Sequence, residues 1–132
     1  MEEAFLTSDT KDLPHSKQAL IIDDEEDFCV LLTSYLEKKG FRVHSSHRLE
    51  EGMRVLGELK PHLVFLDHHL PDGLGWDALP VLRNHIPQSR FFLISAHQTN
   101  FTYETGKVEN DQEKLVKVFE KPISFRELDR YI

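Results

Sequence analysis

Short apolar runs recur along this chain, and most of them stop at an acid, a hydroxyl or a lysine. Residues 19–22, 62–66, 90–95 and 115–119 are mostly unbroken in Leu, Ile, Val and Phe, which is how strands read when a sheet is covered on both faces. Phe41-Arg42-Val43-His44 alternates instead, as a strand at a sheet edge does. Between the runs the spacing changes. From Asp24 onward Phe28, Leu31, Leu32, Tyr35 and Leu36 recur at three- and four-residue steps, predicting an amphipathic helix. Acids from Asp24 to Asp27 near its start, Lys38-Lys39 at its end and Gly40 as a left-handed stop all agree with the helix dipole. A second helix is predicted over 49–59 on Leu49, Met53 and Leu56, cut off by Pro61. A third covers 76–85, where Pro80 is tolerable only in the first turn. A last helix begins after Ser124, a good N-cap, and runs toward Ile132.

Strands alternating with helices predict an α/β fold with a doubly wound parallel sheet. Residues 67–75, with Pro71, Gly73 and Gly75, read as a turn-rich loop, and residues 1–18 as a flexible leader. Residues 97–114 carry Phe101, Tyr103 and Val108 at no helical or strand period. That stretch has too little apolar surface to offset the entropy of ordering it, so partial disorder is expected there.

Composition narrows the classes. A chain of 132 residues suits one domain. Net charge is −7, from 23 acids against 16 bases, and no Lys/Arg stripe forms, so direct binding of nucleic acid is not expected. Cys29 is the single cysteine, and no apolar stretch is long enough to span a membrane or resembles a signal peptide. A reducing, cytoplasmic setting without membrane insertion is expected. Most of the nine Phe lie in the strand runs and are expected to pack, as is Trp76 at a helix start.

Ligands gather at the carboxyl ends of parallel strands. Asp23 and Asp24 follow the first run, Asp67 the third, Ser95 closes the fourth and Lys121 follows the fifth. Two carboxylates about 4 Å apart repel by roughly 4 kcal/mol at an effective dielectric near 20. A third forces in a proton or a cation. Magnesium, held by a few carboxylates and completed by a phosphate, suits such a set. Lys121 adds a mobile positive charge, Ser95 a hydroxyl that can donate to a phosphoryl oxygen, and Asp67 a carboxylate nucleophile for an acyl phosphate. His68-His69 is a poor start for a zinc site, because adjacent residues rarely converge on one ion. Glu25-Glu26-Asp27 reads as a solvated helix face, with Glu25 near enough to bind a water of the metal shell.

In order and spacing these motifs resemble the receiver domain of bacterial two-component response regulators, over nearly all of residues 19–132. The acidic pair lies in Leu20-Ile21-Ile22-Asp23-Asp24-Glu25, the phosphoacceptor loop in Leu66-Asp67-His68-His69-Leu70-Pro71-Asp72-Gly73-Leu74-Gly75, the switch hydroxyl in Ser95-Ala96 and the lysine in Lys121-Pro122. The resemblance implies a flavodoxin-like sheet of five strands in the order 2-1-3-4-5, with the helix expected between Ser95 and Lys121 irregular or degenerate here. It implies that Asp67 accepts a phosphoryl group from a sensor histidine kinase or a histidine phosphotransfer protein. Asp24, Asp67 and the backbone carbonyl of His69 would bind Mg2+ directly, and Asp23 through water. Ser95 and Lys121 would re-form around the phosphoryl group and signal to an unknown downstream protein. Chemistry of this kind is limited to the domain's own phosphorylation and dephosphorylation.

The ten residues after Pro122 are too few for an output module, so a receiver without one is expected in this chain. Two departures from the family pattern stand out. The aperiodic 97–114 stretch is one. The other is Val118, placed three residues before Lys121 where the family commonly has an aromatic switch, with Phe119 beside it. Both keep open an alternative, a pseudo-receiver that binds a partner regardless of phosphate. A phosphatase of the haloacid-dehalogenase type fits less well, since it wants a second Asp where His69 stands. His69 and His97 would border the phosphoryl group, and exchanging both for Ala is expected to change the lifetime of the acyl phosphate. An unchanged decay rate in a hydrolysis time course would contradict this.

Overall fold

The structure is a computed structural model and describes residues 17–96 and 115–132, without the side chains of Leu115 and Val116. The expected leader up to residue 16, the 97–114 stretch and His97 lie outside the described residues. Five strands, β1 (Lys17–Ile22), β2 (Phe41–Ser46), β3 (Leu63–Asp67), β6 (Arg90–Ser95) and β7 (Leu115–Glu120), form one sheet. Its order is β2-β1-β3-β6-β7 and all its pairings are parallel. This is the expected 2-1-3-4-5 sheet. Four helices accompany it among the described residues: α1 (Glu26–Lys38), α2 (Leu49–Leu59), α3 (Gly75–His85) and α4 (Phe125–Leu128).

The apolar runs are explained by what covers each face. Along β1, Leu20 and Ile22 point into a core shared with Leu56 of α2 and Leu79 and Leu82 of α3. Ala19 and Ile21 point the other way, to Leu32 and Leu36 of α1 and Leu128 of α4. Both sets are fully or almost fully buried, so the two-residue period of a strand leaves no polar face on the central strands. Phe65 and Phe92 stack at 4.9 Å between ring centroids on the α1 side. On the α2 side the helix comes close because Gly52 carries no side chain; a Cβ there would lie 2.6 Å from Ile22 Cδ1.

Local differences from the sequence reading each have a cause. β1 starts at Lys17, inside the expected leader, because Lys17 and Gln18 pair with Phe41 and Arg42. Gln18 also exchanges two hydrogen bonds with His62: its carbonyl accepts from the His62 N–H at 2.8 Å, and its own N–H donates to His62 Nδ1 at 3.0 Å. Leu31, expected on the apolar face of α1, is 60% exposed, because Phe28, Cys29, Leu32, Tyr35 and Leu36 fill the seam toward the sheet. Pro80 is the sixth residue of α3, past the first turn, and lies on its exposed side. Ser124 does cap α4, accepting from the Glu127 N–H at 3.2 Å, but the helix ends at Leu128.

The 67–75 loop is more ordered than its turn residues suggest. His69–Leu70 (β4) and Gly73–Leu74 (β5) form a small antiparallel ladder. Asp72, at its tip, accepts from the N–H groups of Leu49 and Glu50 at 2.8 and 3.0 Å. A residue 23 positions away thus caps α2, whose own N-cap residue Arg48 makes no side-chain cap bond. At the other end the Gly75 N–H donates to the His68 carbonyl at 2.7 Å, and a Cβ on Gly75 would lie 2.3 Å from the Asp67 carbonyl oxygen. Backbone cannot yield as a side-chain tip can. Gly75→Ala is therefore expected to destabilise the fold by about 1–3 kcal/mol. Gly57→Ala, inside α2 with nothing within 4 Å of the new Cβ, should stabilise it by about 0.5–1 kcal/mol. Urea denaturation of the two variants, giving opposite signs, checks the pair.

Candidate functional site

Asp23 lies one residue beyond β1 and is fully buried. Its N–H donates to the Ser46 carbonyl at 2.9 Å, and its Oδ1 accepts from the Glu25 N–H at 2.8 Å. Asp67 is the last residue of β3 and only 4% exposed. Because Ile22 and Leu66 are register partners in neighbouring parallel strands, the two carboxylates leave the sheet side by side. Asp24 joins them from the exposed side. One oxygen from each of Asp23, Asp24 and Asp67 lies within 4.8 Å of the others.

The fifth strand delivers the lysine. The Lys121 N–H donates to the Ser95 carbonyl at 2.8 Å, and the Lys121–Pro122 peptide is cis. Its Nζ stands 2.7 Å from Glu25 Oε1, 2.9 Å from Asp23 Oδ2 and 3.9 Å from Asp67 Oδ1, over the Phe28 ring at 4.6 Å. Ser95, buried, ends β6 one residue past Ile94, the register partner of Asp67. The backbone N–H of His69 donates to the Asp67 carboxylate, so the start of β4 lies against the cluster. Of the residues singled out from sequence, Asp23, Asp24, Asp67 and Lys121 thus converge, and Ser95 and His69 adjoin them along the backbone.

Electrostatics at the cluster are out of balance. Burial, and then the charge of Asp23, push the Asp67 carboxyl up to about 7, against the pull of Lys121. Burial likewise raises Asp23 above its ordinary value, although Lys121 opposes it. Burial disfavours the charge on Lys121, but its bonds to Glu25 and Asp23 outweigh this and raise its pKa. One ammonium cannot neutralise this many carboxylates. A hard divalent cation fits the surplus, because the donors are carboxylate oxygens and one of them is otherwise driven to take up a proton. A histidine-bound transition metal fits poorly, since His68 Nδ1 already accepts the Trp76 N–H at 3.2 Å.

Sequence reasoning missed the part that three residues play here. Glu25, read as part of a solvated helix face, is the nearest carboxylate to Lys121, and Phe28, read as core, faces its ammonium. Asp72 belongs to the phosphoacceptor loop but carries no sequence sign of a cap, and the bonds it accepts from the Glu50 and Leu49 N–H groups hold its carboxyl below the usual range. Only Glu25 had a signal, its place directly after the acidic pair. Val118 packs with the core on the α2 and α3 side, whereas Phe119 is buried on the α1 and α4 side. The neighbouring ring therefore does not take the place of the missing aromatic.

A parallel five-stranded sheet with an acidic cluster and a lysine at its carboxyl edge defines a receiver-type α/β domain. A model of the response regulator receiver domain matches residues 19–132, and the chain belongs to that family. It is thus a receiver domain of the kind used in two-component signalling. The photosynthetic apparatus regulatory protein RegA of Cereibacter sphaeroides is 29% identical over 86 residues, covering 65% of this chain and 47% of that protein. The transcriptional regulatory protein SrrA of Staphylococcus aureus is 30% identical over 113 residues, covering 86% of this chain and 45% of that protein. The chain spans about half the length of these curated relatives. Among solved structures, a CheY-like receiver domain from Methanospirillum hungatei matches with a TM-score of 0.76 at 20% identity, over 87% of this chain and 89% of that one. A Burkholderia pseudomallei response regulator, solved with a phosphorylated aspartic acid, calcium and citrate, matches with a TM-score of 0.73 at 24% identity, over 85% and 64%. At such identities the likeness carries the fold.

The raised carboxyl makes stability depend on pH. Folded Asp67 holds its proton to about 7, while the ordinary value is 3.8, so its contribution is complete below 3.8 and is lost as pH rises through about 7. In a chelating buffer the melting temperature is expected to fall between about pH 5 and about pH 8. In Asp67→Asn the fall should be smaller, and equal slopes for the two proteins in a thermal melt would contradict the assignment.

Proposed function

We propose that Asp67 is a phosphoacceptor, taking a phosphoryl group from a phosphohistidine on a sensor histidine kinase or a histidine phosphotransfer protein. The observation that carries this reading is the buried Asp67 carboxylate, grouped within 4.8 Å with Asp23 and Asp24 and facing the Lys121 ammonium. An oxygen of ionised Asp67 attacks phosphorus, the phosphorus–nitrogen bond breaks, and its electron pair returns to the imidazole of the partner. The product is an acyl phosphate on Asp67. Asp24, Asp67 and the His69 carbonyl would hold Mg2+, with Asp23 acting through water, and the ion supplies positive charge to the phosphoryl oxygens. Lys121 pairs with a second phosphoryl oxygen, and the Ser95 hydroxyl donates to a third.

Phosphoryl transfer asks chiefly for positioning and neutralised charge. Among the described residues this site supplies the positioning, and Lys121 with a bound cation would supply the charge, which supports a domain that turns over only its own phosphoryl group. Its output, in this reading, is a shift between two surface populations recognised by a downstream protein in the cytoplasm, with no direct contact to nucleic acid or membrane. No helix among the described residues is long and apolar enough to cross a membrane.

Val118 favours one other reading, a pseudo-receiver whose partner binds whatever the state of Asp67. Incubation with Mg2+ and a small acyl-phosphate donor separates the two. A hydroxylamine-sensitive label, absent from Asp67→Asn and formed about a hundredfold more slowly in Lys121→Ala, is the expected result. No label on folded wild-type protein would transfer the weight to the pseudo-receiver.

A further inference from the structure

Lys121 is held by more than the acidic cluster. Its nearest partner, at 2.7 Å, is Glu25, whose side chain is 64% exposed, while the lysine side chain is 13% exposed. Asp23 follows at 2.9 Å, and Asp67 stands off at 3.9 Å, beyond hydrogen-bond reach. The Phe28 ring, 4.6 Å away, adds a cation–π contact from the first turn of α1. Glu25 is fixed in turn, since it occupies the N-cap position of α1 and its N–H donates to Asp23 Oδ1. The lysine is therefore bound directly to Glu25 and Asp23, with a gap left between it and Asp67.

We infer that Glu25 is a positioning residue that competes with the phosphoryl group for Lys121. The inference rests on the reading of Asp67 as the phosphoacceptor. New anionic oxygens on Asp67 attract the ammonium across the remaining gap, and one of its present partners must let go. Asp23 is fully buried and would lose a direct cationic partner without regaining water. Glu25 is at the surface and regains water when released, so its bond is the one exchanged. The strength of that bond sets part of the affinity of the site for a phosphoryl group.

Titration of the full chain with beryllofluoride, a phosphoryl mimic, in saturating Mg2+ tests this by calorimetry. Glu25→Gln is expected to bind the mimic about fivefold more tightly than wild type. Glu25→Asp, which keeps the charge but withdraws the carboxylate by one methylene, should tighten binding as well. In a Lys121→Met background, which keeps the aliphatic stem, Glu25→Gln should change affinity less than about twofold. Equal tightening in that background, or tightening by Gln but not by Asp, would reduce the effect to bulk charge and overturn the inference. Equal affinities of wild type and Glu25→Gln would overturn it alone, whereas a wild type that takes up no beryllofluoride would remove the phosphoacceptor reading and this inference together.

Discussion

The repulsion between Asp23 and Asp67 is the constraint around which the rest of this domain is arranged. Parallel pairing of β1 with β3 places the two carboxylates at adjacent strand ends, both almost without solvent. Water would ordinarily screen such a pair. Here burial removes it, and protein groups or a bound cation must substitute. Lys121 arrives from β7, the far edge of the sheet, and the register of β6 with β7, Ser95 opposite Glu120, determines where it does so. A five-stranded sheet is thus the scaffold that brings one ammonium to two acids separated by 44 residues in the chain.

A second constraint acts on the loop after Asp67. Its backbone is tied to β6 through the His68 N–H and the Ile94 carbonyl at 2.8 Å, to α3 through Gly75 and Trp76, and to α2 through Asp72. Each tie uses a different chemistry: a strand-like bond, a missing Cβ, an imidazole acceptor and a carboxylate cap. Two helices therefore begin at this loop in the sense of hydrogen bonding, although only α3 follows it in sequence. A carboxylate that must be held to within about 0.5 Å needs such support from neighbouring groups.

How much of this was legible follows from how local each signal is. The central strands could be read because burial on both faces forces continuous apolar runs, and the cluster could be read because acids and a lysine directly follow those runs. Strand order and the partners of Asp67 came through the family resemblance. The first two residues of β1 escaped because Lys17 and Gln18 are polar and are recruited by Phe41 and Arg42, partners more than twenty residues away. Asp72 escaped for the same reason: an acid in a loop is a solvated acid until a helix start is shown to lie against it. Leu31 misled in the opposite direction, since helical spacing admits it to the apolar stripe while Cys29, a smaller and less obvious residue, takes the place against the sheet.

The position of Phe119 limits how the site can speak to the rest of the molecule. Side chains of β7 alternate, so Phe119 points away from Val118, and its ring packs 5.8 Å from Phe92 and 5.7 Å from Tyr131. Tyr35 adds to that side, stacking on Phe125 at 4.6 Å and donating its hydroxyl to Asp129, which also pairs with Lys39. A buried ring packed against two others in this way is held in place. Val118, on the other face, has no ring to turn. Among the described residues, what can respond at the carboxyl edge is charge: Lys121 has Glu25, Asp23 and Asp67 within 4 Å and the Phe28 ring beside it, so a change at one of them alters its balance among the others.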